Sequence, residues 1–405
     1  MAVRVRVLTL FVVAVLTGGV FFAGYGAGHR AAARSADDQG YALLRQILTH
    51  VRRDYLNPVP DATALFDGAA RGMLDALGDP HTRYMDGKAF RQFQEGVQGV
   101  FFGIGIFIDM RDKQLIVVQP IEGTPAFRAG LRAGDKIQRI NNAPTESMAL
   151  QEAVSKIRGP AGTKVTLQIA RPDRTFDVEI TRARIQVTSV AGVKSLDEAV
   201  QKQLAADRLG YLRILRFDEP TAADVSAELE QILRGAPVGL IVDLRGNGGG
   251  LLNVTEQIAG RFIAAGQPIV HIVDRSGRRE TRRAGGGTKV TVPIVVLINE
   301  FSASASEILA GALKDSADAT IIGQQTFGKG VIQSIYDLPG GSGAAITTAK
   351  YLTPAGRDIQ GKGIPPDVVV GDRLEGKADA DLVRIQSEQL QRAIEVLKQR
   401  IKQRR

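Results

Sequence analysis

Between Leu209 and Ile322 short apolar runs alternate with amphipathic ones, and this pattern limits the chain to few folds. Tyr211–Leu215, Gly239–Asp243, Ile269–Val273, Pro293–Ile298 and Thr320–Ile322 read as strands. Residues 221–233, 251–264 and 304–315 between them carry apolar side chains at helical spacing. Such alternation implies an α/β layer built on a largely parallel sheet.

The rest of the 405 residues divides by period. Residues 40–56 repeat Tyr41, Leu44, Ile47, Leu48, Val51 and Tyr55 at helical spacing and stop before Asn57-Pro58. A second helical patch, 62–77, closes at Gly78-Asp79-Pro80, so 35–95 reads as a helical region. From Gly96 the period falls to two. The runs around Ile104–Ile108, Leu115–Val118, Lys136–Ile140, Val165–Ile169 and Phe176–Ile180, with one helix near 147–157, predict a small β-rich domain over 97–185. The α/β unit then occupies 186–370. A last helix, within 376–405, places Leu382, Ile385, Leu390, Ile394, Leu397 and Ile401 on one side. The apolar stripes of 40–56 and 379–404 exceed what a helical cap needs, which makes both helices candidates for homo-oligomer contact.

Arg4 and Arg6 precede an uncharged run from Val7 to Gly28, so residues 1–30 read as a signal peptide or membrane anchor. The body is expected to be exported, either free or held to the membrane by that segment.

Zero cysteines exclude a thiol nucleophile, a disulfide framework and any cysteine-ligated metal. Four histidines leave little material for a metal site or a histidine-based triad, so neither metal nor cofactor is expected. The net charge of +9 sits in two stretches, 271–289 and 392–405. Aromatic residues make up 5% of the chain and are not interleaved with the basic ones, which argues against nucleic acid.

Chemistry concentrates where turns leave the strands. Gly239-Leu-Ile-Val-Asp-Leu-Arg-Gly-Asn-Gly-Gly-Gly250 runs from a buried strand into a glycine-packed turn, whose N–H groups suit an anion nest or simply a tight connection. Ser302, Ser304 and Ser306, with alanines between them, stand at a strand–helix junction. Ser304-x-x-Glu307 is a capping box, yet one cap does not require such a run of tiny side chains, whereas close approach of a substrate backbone does. Gly323-Gln-Gln-Thr-Phe-Gly-Lys-Gly330 falls short of a phosphate-binding loop. Gly330 stands where a hydroxyl is needed, and Val331, Gln333 and Ile335 continue as a strand. Lys329, between glycines and near Phe327 and Val331, is either an exposed turn lysine or one desolvated enough to act as a base on a serine. Lys350–Asp367, rich in Gly and Pro, reads as a rigid structural loop.

Asp243-Leu-Arg-Gly-Asn-Gly-Gly-Gly250, Ser302-Ala-Ser-Ala-Ser-Glu-Ile308, Thr326-Phe-Gly-Lys-Gly330 and Tyr351-x-Thr-Pro-x-Gly-Arg357 resemble the carboxyl-terminal processing proteases (peptidase family S41, the tail-specific proteases with a PDZ domain) in order and spacing. Asp79-Pro-His-Thr-Arg-Tyr-Met85 and Gly123-Thr-Pro-Ala-Phe-Arg-Ala-Gly-Leu-Arg-Ala-Gly-Asp135 extend the resemblance, the latter to the family's PDZ domain. It implies a multidomain α/β protein, with a PDZ domain inserted before a ClpP/crotonase-like protease core and helical segments at both ends. By resemblance Ser304 is the nucleophile, Lys329 the base and Gln333 the residue that orients it, with Glu307 near the dyad. Ala305 and one of Gly249 or Gly250 supply oxyanion N–H groups. Phe102, Gly103, Ile104, Gly105 and Ile106 bind the substrate terminus by β-addition. Arg158 lies near the contact between PDZ domain and protease. His81 and Gly248 depart from the family pattern. The implied function is an exported bacterial serine endoprotease, periplasmic or anchored to the inner membrane, acting on unfolded or C-terminally exposed proteins. The alternative is an inactive peptide-binding adaptor of the same fold.

Overall fold

The computed structural model describes residues 36–404 except 60, 112–113, 287–289 and 373–378. The expected export segment therefore lies outside the described residues. The chain forms two compact units, up to Met73 and from Leu74 onward. In the first, residues 36–54 are helical and a helix begins at Thr63. Tyr41, Leu44, Ile47 and Tyr55 on the 40–56 stripe are all exposed.

The second unit is organised by a six-stranded sheet. Its order is Val190–Gly192, Leu209–Ile214, Gly239–Asp243, Ile294–Ile298, Thr320–Gly323, Val368–Val369, and every pair after the first is parallel. Alternate side chains of these strands feed two cores, because successive residues face opposite sides of a sheet. Leu240, Val242, Val296, Ile298 and Ile321 pack with Val225, Leu229, Ile258, Leu309 and Leu313 of the helices Thr221–Arg234, Leu252–Ala259 and Ala305–Ser316. Ile241, Val295, Leu297 and Ile322 pack with Leu390, Ala393, Ile394 and Leu397 of the last helix, Asp379–Gln403.

That second core corrects one expectation. The apolar stripe of the C-terminal helix lies against the sheet of its own chain, so it is not available as a self-association surface. Its basic end is also engaged: Lys398 pairs with Asp207, and Arg400 and Arg404 with Asp318.

Pro268–Asp274, expected among the parallel strands, belongs instead to an antiparallel sheet with Arg279–Arg283, Ser342–Leu352 and Val331–Leu338. The same sheet takes Arg83–Met85, whose register pairs Arg83 with Ala345. The stretch expected to be helical thus lends a strand to the body of the second unit. The helix Gly87–Val97 follows, capped by Asp86, whose carboxylate accepts the N–H groups of Lys88 and Ala89.

Residues 106–181 form a separate antiparallel sheet around a core of Leu115, Val117, Ile137, Ile140, Leu167 and Ile169, closed by the helix Leu150–Ile157. Ile106–Arg111 is an edge strand of this sheet, paired among the described residues with Gln114–Pro120 alone.

Candidate active site

The helix Ala305–Ser316 starts from Ser304, which has φ 54° and ψ −113°. A non-glycine residue there carries backbone strain of about 1–3 kcal/mol, and the surroundings must hold it. Glu307 does so. Its carboxylate takes the Ser304 N–H at 2.8 Å, the Lys329 N–H at 2.9 Å and the Gly328 N–H at 2.8 Å, and it also accepts the Thr326 hydroxyl. Burial pushes the Glu307 carboxyl above its ordinary value, and these four donors oppose that shift.

From the other side the Tyr351 hydroxyl donates to the carbonyls of Lys329, at 2.5 Å, and Ser304, at 3.0 Å. Burial raises the Tyr351 phenol well above its ordinary value, so it remains a donor. Sequence reasoning placed Lys350–Asp367 outside the chemistry, yet its tyrosine fastens both segments of the site. Tyr351 was visible only as the first residue of a family motif, which did not state this role.

Ser304 and Lys329 line one cavity of about 500 Å³ together with Gln333, Ala305, Gly249, Gly250 and Tyr351. The Lys329 side chain is partly buried, and no carboxylate lies within ion-pair distance of its ammonium among the described residues. Burial lowers the lysine below its ordinary value and Arg83 lowers it further, against the opposing pull of Asp79 and Glu307. Gln333 donates through Nε2 to Thr347 Oγ1 at 3.3 Å.

The glycine loop packs hard on the serine turn. A Cβ at Gly249, φ 103°, would stand 2.7 Å from the Ala303 carbonyl and 2.9 Å from Ser304 Cβ. Ser302 and Ser306 are wholly buried, and their hydroxyls donate to the carbonyls of Leu244 and Asn247, each at 2.8 Å. Ser302 and Ser306 therefore join two loops, while Ser304 and Ala305 between them face the cavity. Asn247 extends the join: its Nδ2 donates to the Ile214 carbonyl, and its Oδ1 accepts the Gly249 N–H at 2.9 Å. The loop is also tied from below. Arg245 grips Asp243 and donates to the Gln386 carbonyl at 2.7 Å and to Gln389 Oε1 at 3.2 Å, both on the C-terminal helix.

The remaining expected residues lie in and beside the 106–181 sheet. Gly105, φ 82°, faces Thr124, and the Ile104 carbonyl accepts the Ala126 N–H at 2.8 Å. Phe102 and Gly103 lie in Val100–Gly103, which pairs with Ala183–Gln186, and Ile106 opens the edge strand. The Arg158 guanidinium stacks on Phe101, 5.2 Å from the ring centre, and does not line the Ser304 cavity.

A parallel sheet that delivers a strained serine, a desolvated lysine and a glycine loop into one cavity, beside a sheet with an open edge strand, defines a serine-type peptidase with a peptide-binding module. The comparisons agree. Residues 208–370 match Peptidase family S41, 94–170 match the PDZ domain, and 27–89 match the N-terminal domain of the activating protease CtpB. A carboxy-terminal-processing protease of Bartonella bacilliformis is 40% identical over 83% of this chain and 76% of its own. Carboxy-terminal processing protease CtpA of Bacillus subtilis is 35% identical over 82% and 70%. An S41 protease structure from Bacteroides fragilis covers 86% of this chain and 96% of its own at TM-score 0.52; at 14% identity it speaks for the fold alone. The chain belongs to the carboxy-terminal processing proteases of peptidase family S41.

Proposed function

We propose that this peptidase cleaves exported proteins whose C-termini it first holds on the PDZ domain, with Ser304 as nucleophile and Lys329 as general base. The observation that carries the reading is the single carboxylate of Glu307, which holds the backbones of both residues at one cavity.

Neutral Lys329 takes the proton of the Ser304 hydroxyl as its oxygen attacks the substrate carbonyl carbon. The oxyanion is received by the N–H groups of Ala305 and Gly250, since that of Gly249 is already given to Asn247. The lysine ammonium then protonates the leaving amine as the C–N bond breaks. Lys329, neutral again, takes a proton from a water molecule that attacks the acyl-serine ester, and returns it to the Ser304 oxygen as the C–O bond breaks. Gln333, whose Nε2 is held by Thr347, offers its Oε1 to orient the ammonium.

The edge strand Ile106–Arg111, entered through Phe102–Gly105, takes the substrate terminus by strand addition. Arg158, stacked on Phe101 beside that entry, couples occupancy of the PDZ domain to the protease. The apolar segment Val7–Gly28 exports the body and holds it to the membrane where it is not removed. Self-association falls to the exposed stripe of residues 40–56.

The test is cleavage of an unfolded protein by the purified full chain. Ser304→Ala and Lys329→Ala are each expected to lose at least a thousandfold in kcat while keeping the wild-type circular dichroism spectrum. Wild type that binds the substrate and never cuts it marks the inactive adaptor instead.

A further inference from the structure

The cavity wall carries two arginines that take no part in the proton transfers derived above. Arg216 and Arg83 both line it, and the one carboxylate among the lining residues is Asp218. Asp218 is buried and accepts the Thr221 hydroxyl, and its Oδ2 lies 2.7 Å from Arg216 Nε. That contact is ionic and too far off line for a hydrogen bond, and Arg216 Nη2 is buried with no acceptor among the described residues. The guanidinium is thus held in place but under-supplied with acceptors, and the side chain remains 36% exposed.

Arg83 has no carboxylate partner among the described residues. Its strand pairs with Ala345 at the cavity wall, and its charge is felt by Lys329. Arg216 sits one residue before Phe217, whose N–H donates to the Gly249 carbonyl at 3.1 Å and whose carbonyl accepts the Leu251 N–H at 2.7 Å. The under-supplied charge is therefore fixed next to the glycine loop that lines the same cavity as Ser304.

We propose that Arg216 and Arg83 form a subsite that reads a carboxylate on the substrate close to the cleaved bond. Guanidinium groups suit a carboxylate geometrically, and a partly enclosed cavity strengthens the pairing. Two cations against one internal carboxylate leave a place for one more anion. The carboxylate comes from an Asp or Glu side chain or from a substrate end lying in the cavity.

The inference rests on cleavage at Ser304, so the assay must separate the two. Matched fluorogenic peptides carry Glu or Gln at each position flanking the cut, each with a free or an amidated C-terminus, and kcat/KM is measured on the full chain. Wild type is expected to favour Glu over Gln at one position, or the free over the amidated end, by at least tenfold. In Arg216→Gln and Arg83→Gln that ratio is expected to fall to within twofold. Loss of the Glu preference assigns the side chain, and loss of the amidation effect assigns the substrate end. An amidation effect equal in wild type and both variants is read elsewhere, on the PDZ domain. Equal cleavage of all peptides by wild type, or an undiminished preference in both variants, overturns the subsite and leaves the dyad standing. Peptides uncut by wild type overturn the dyad. Should Arg216→Gln fail to fold, Arg83→Glu, at an exposed position, decides alone by turning the preference from Glu to Lys.

Discussion

Ser304 and Lys329 meet on one atom, the Oε2 of Glu307, which receives the backbone N–H of the first at 2.8 Å and of the second at 2.9 Å. Two segments from different turns are thereby held at a distance fixed by one carboxylate, before either side chain takes part in chemistry.

Glu307→Gln is expected to reveal how much the site owes to that atom. An amide offers one acceptor and turns an N–H₂ toward donors on its other side, leaving two of the four donors unpaired at about 1–3 kcal/mol each. The melting temperature should fall, and kcat should fall at least a hundredfold with KM less affected. Wild-type kcat in this variant would remove Glu307 from the account.

The pH profile follows from Lys329. Its folded-state pKa is lowered by burial and by Arg83, so the rate should rise with pH through that lowered value and then level off. Arg83→Gln removes a neighbouring positive charge and should move the rise to higher pH. Stability carries the same sign: the unfolded chain keeps its lysine proton to about pH 10.4, so above the folded-state value the fold gains stability as pH rises. Lys329→Met should accordingly melt higher than wild type at neutral pH. A rate profile unmoved by Arg83→Gln, or a lower melting point for Lys329→Met, contradicts this.

Gly249→Ala tests the fit of the two loops. The new methyl would press on the Ala303 carbonyl and on Ser304 Cβ at a backbone φ that side chains avoid. Turnover should fall by two orders of magnitude or more, while Gly248→Ala, with open space around its Cβ, should be far milder. Steady-state kinetics of the pair is sufficient, and equal losses would argue against contact between loop and elbow.

Deleting residues 376–405 should unfold the protease core and not merely change its oligomeric state. Leu390, Ile394 and Leu397 are buried against the sheet, each contributing about 1.5–3 kcal/mol. Gln389→Ala is the milder probe. It withdraws an acceptor from Arg245 and should lower kcat about tenfold through the glycine loop, with KM nearly constant. A soluble truncated chain with the wild-type melting temperature would contradict the packing.

Strand–helix alternation, read from periodicity, locates every parallel strand from Leu209 to Thr320 to within a few residues, because buried strands and amphipathic helices write their burial directly into the sequence. The same reading assigns Pro268–Asp274 to the wrong sheet, since an apolar run does not state its neighbour. The residues brought to the cavity were visible as motifs, but their supports were not. Tyr351, Thr326 and Asn247 stand inside the motifs, yet they act through contacts between distant segments that no motif states, and Arg216 lies outside every motif. The sequence also does not separate Ser304, which faces the cavity, from Ser306, whose hydroxyl is buried against a carbonyl 59 positions away.

The pairing of Arg83–Met85 with Gly343–Ala345, at the start of Ser342–Leu352, has a consequence for biosynthesis. Thr82 and Thr347 bond across 265 positions, and the C-terminal helix closes the other face of the same unit. A ribosome adding about 5–20 residues per second needs roughly 15–50 s between those two strands. The serine turn at Ser304 is itself added only near the end of that interval, so the glycine loop is made first and waits for the serine turn, the cleft wall and the C-terminal helix beneath it. The support of the glycine loop through Arg245 is therefore complete only once the chain has been extended past Gln389, the last of its partners to be made.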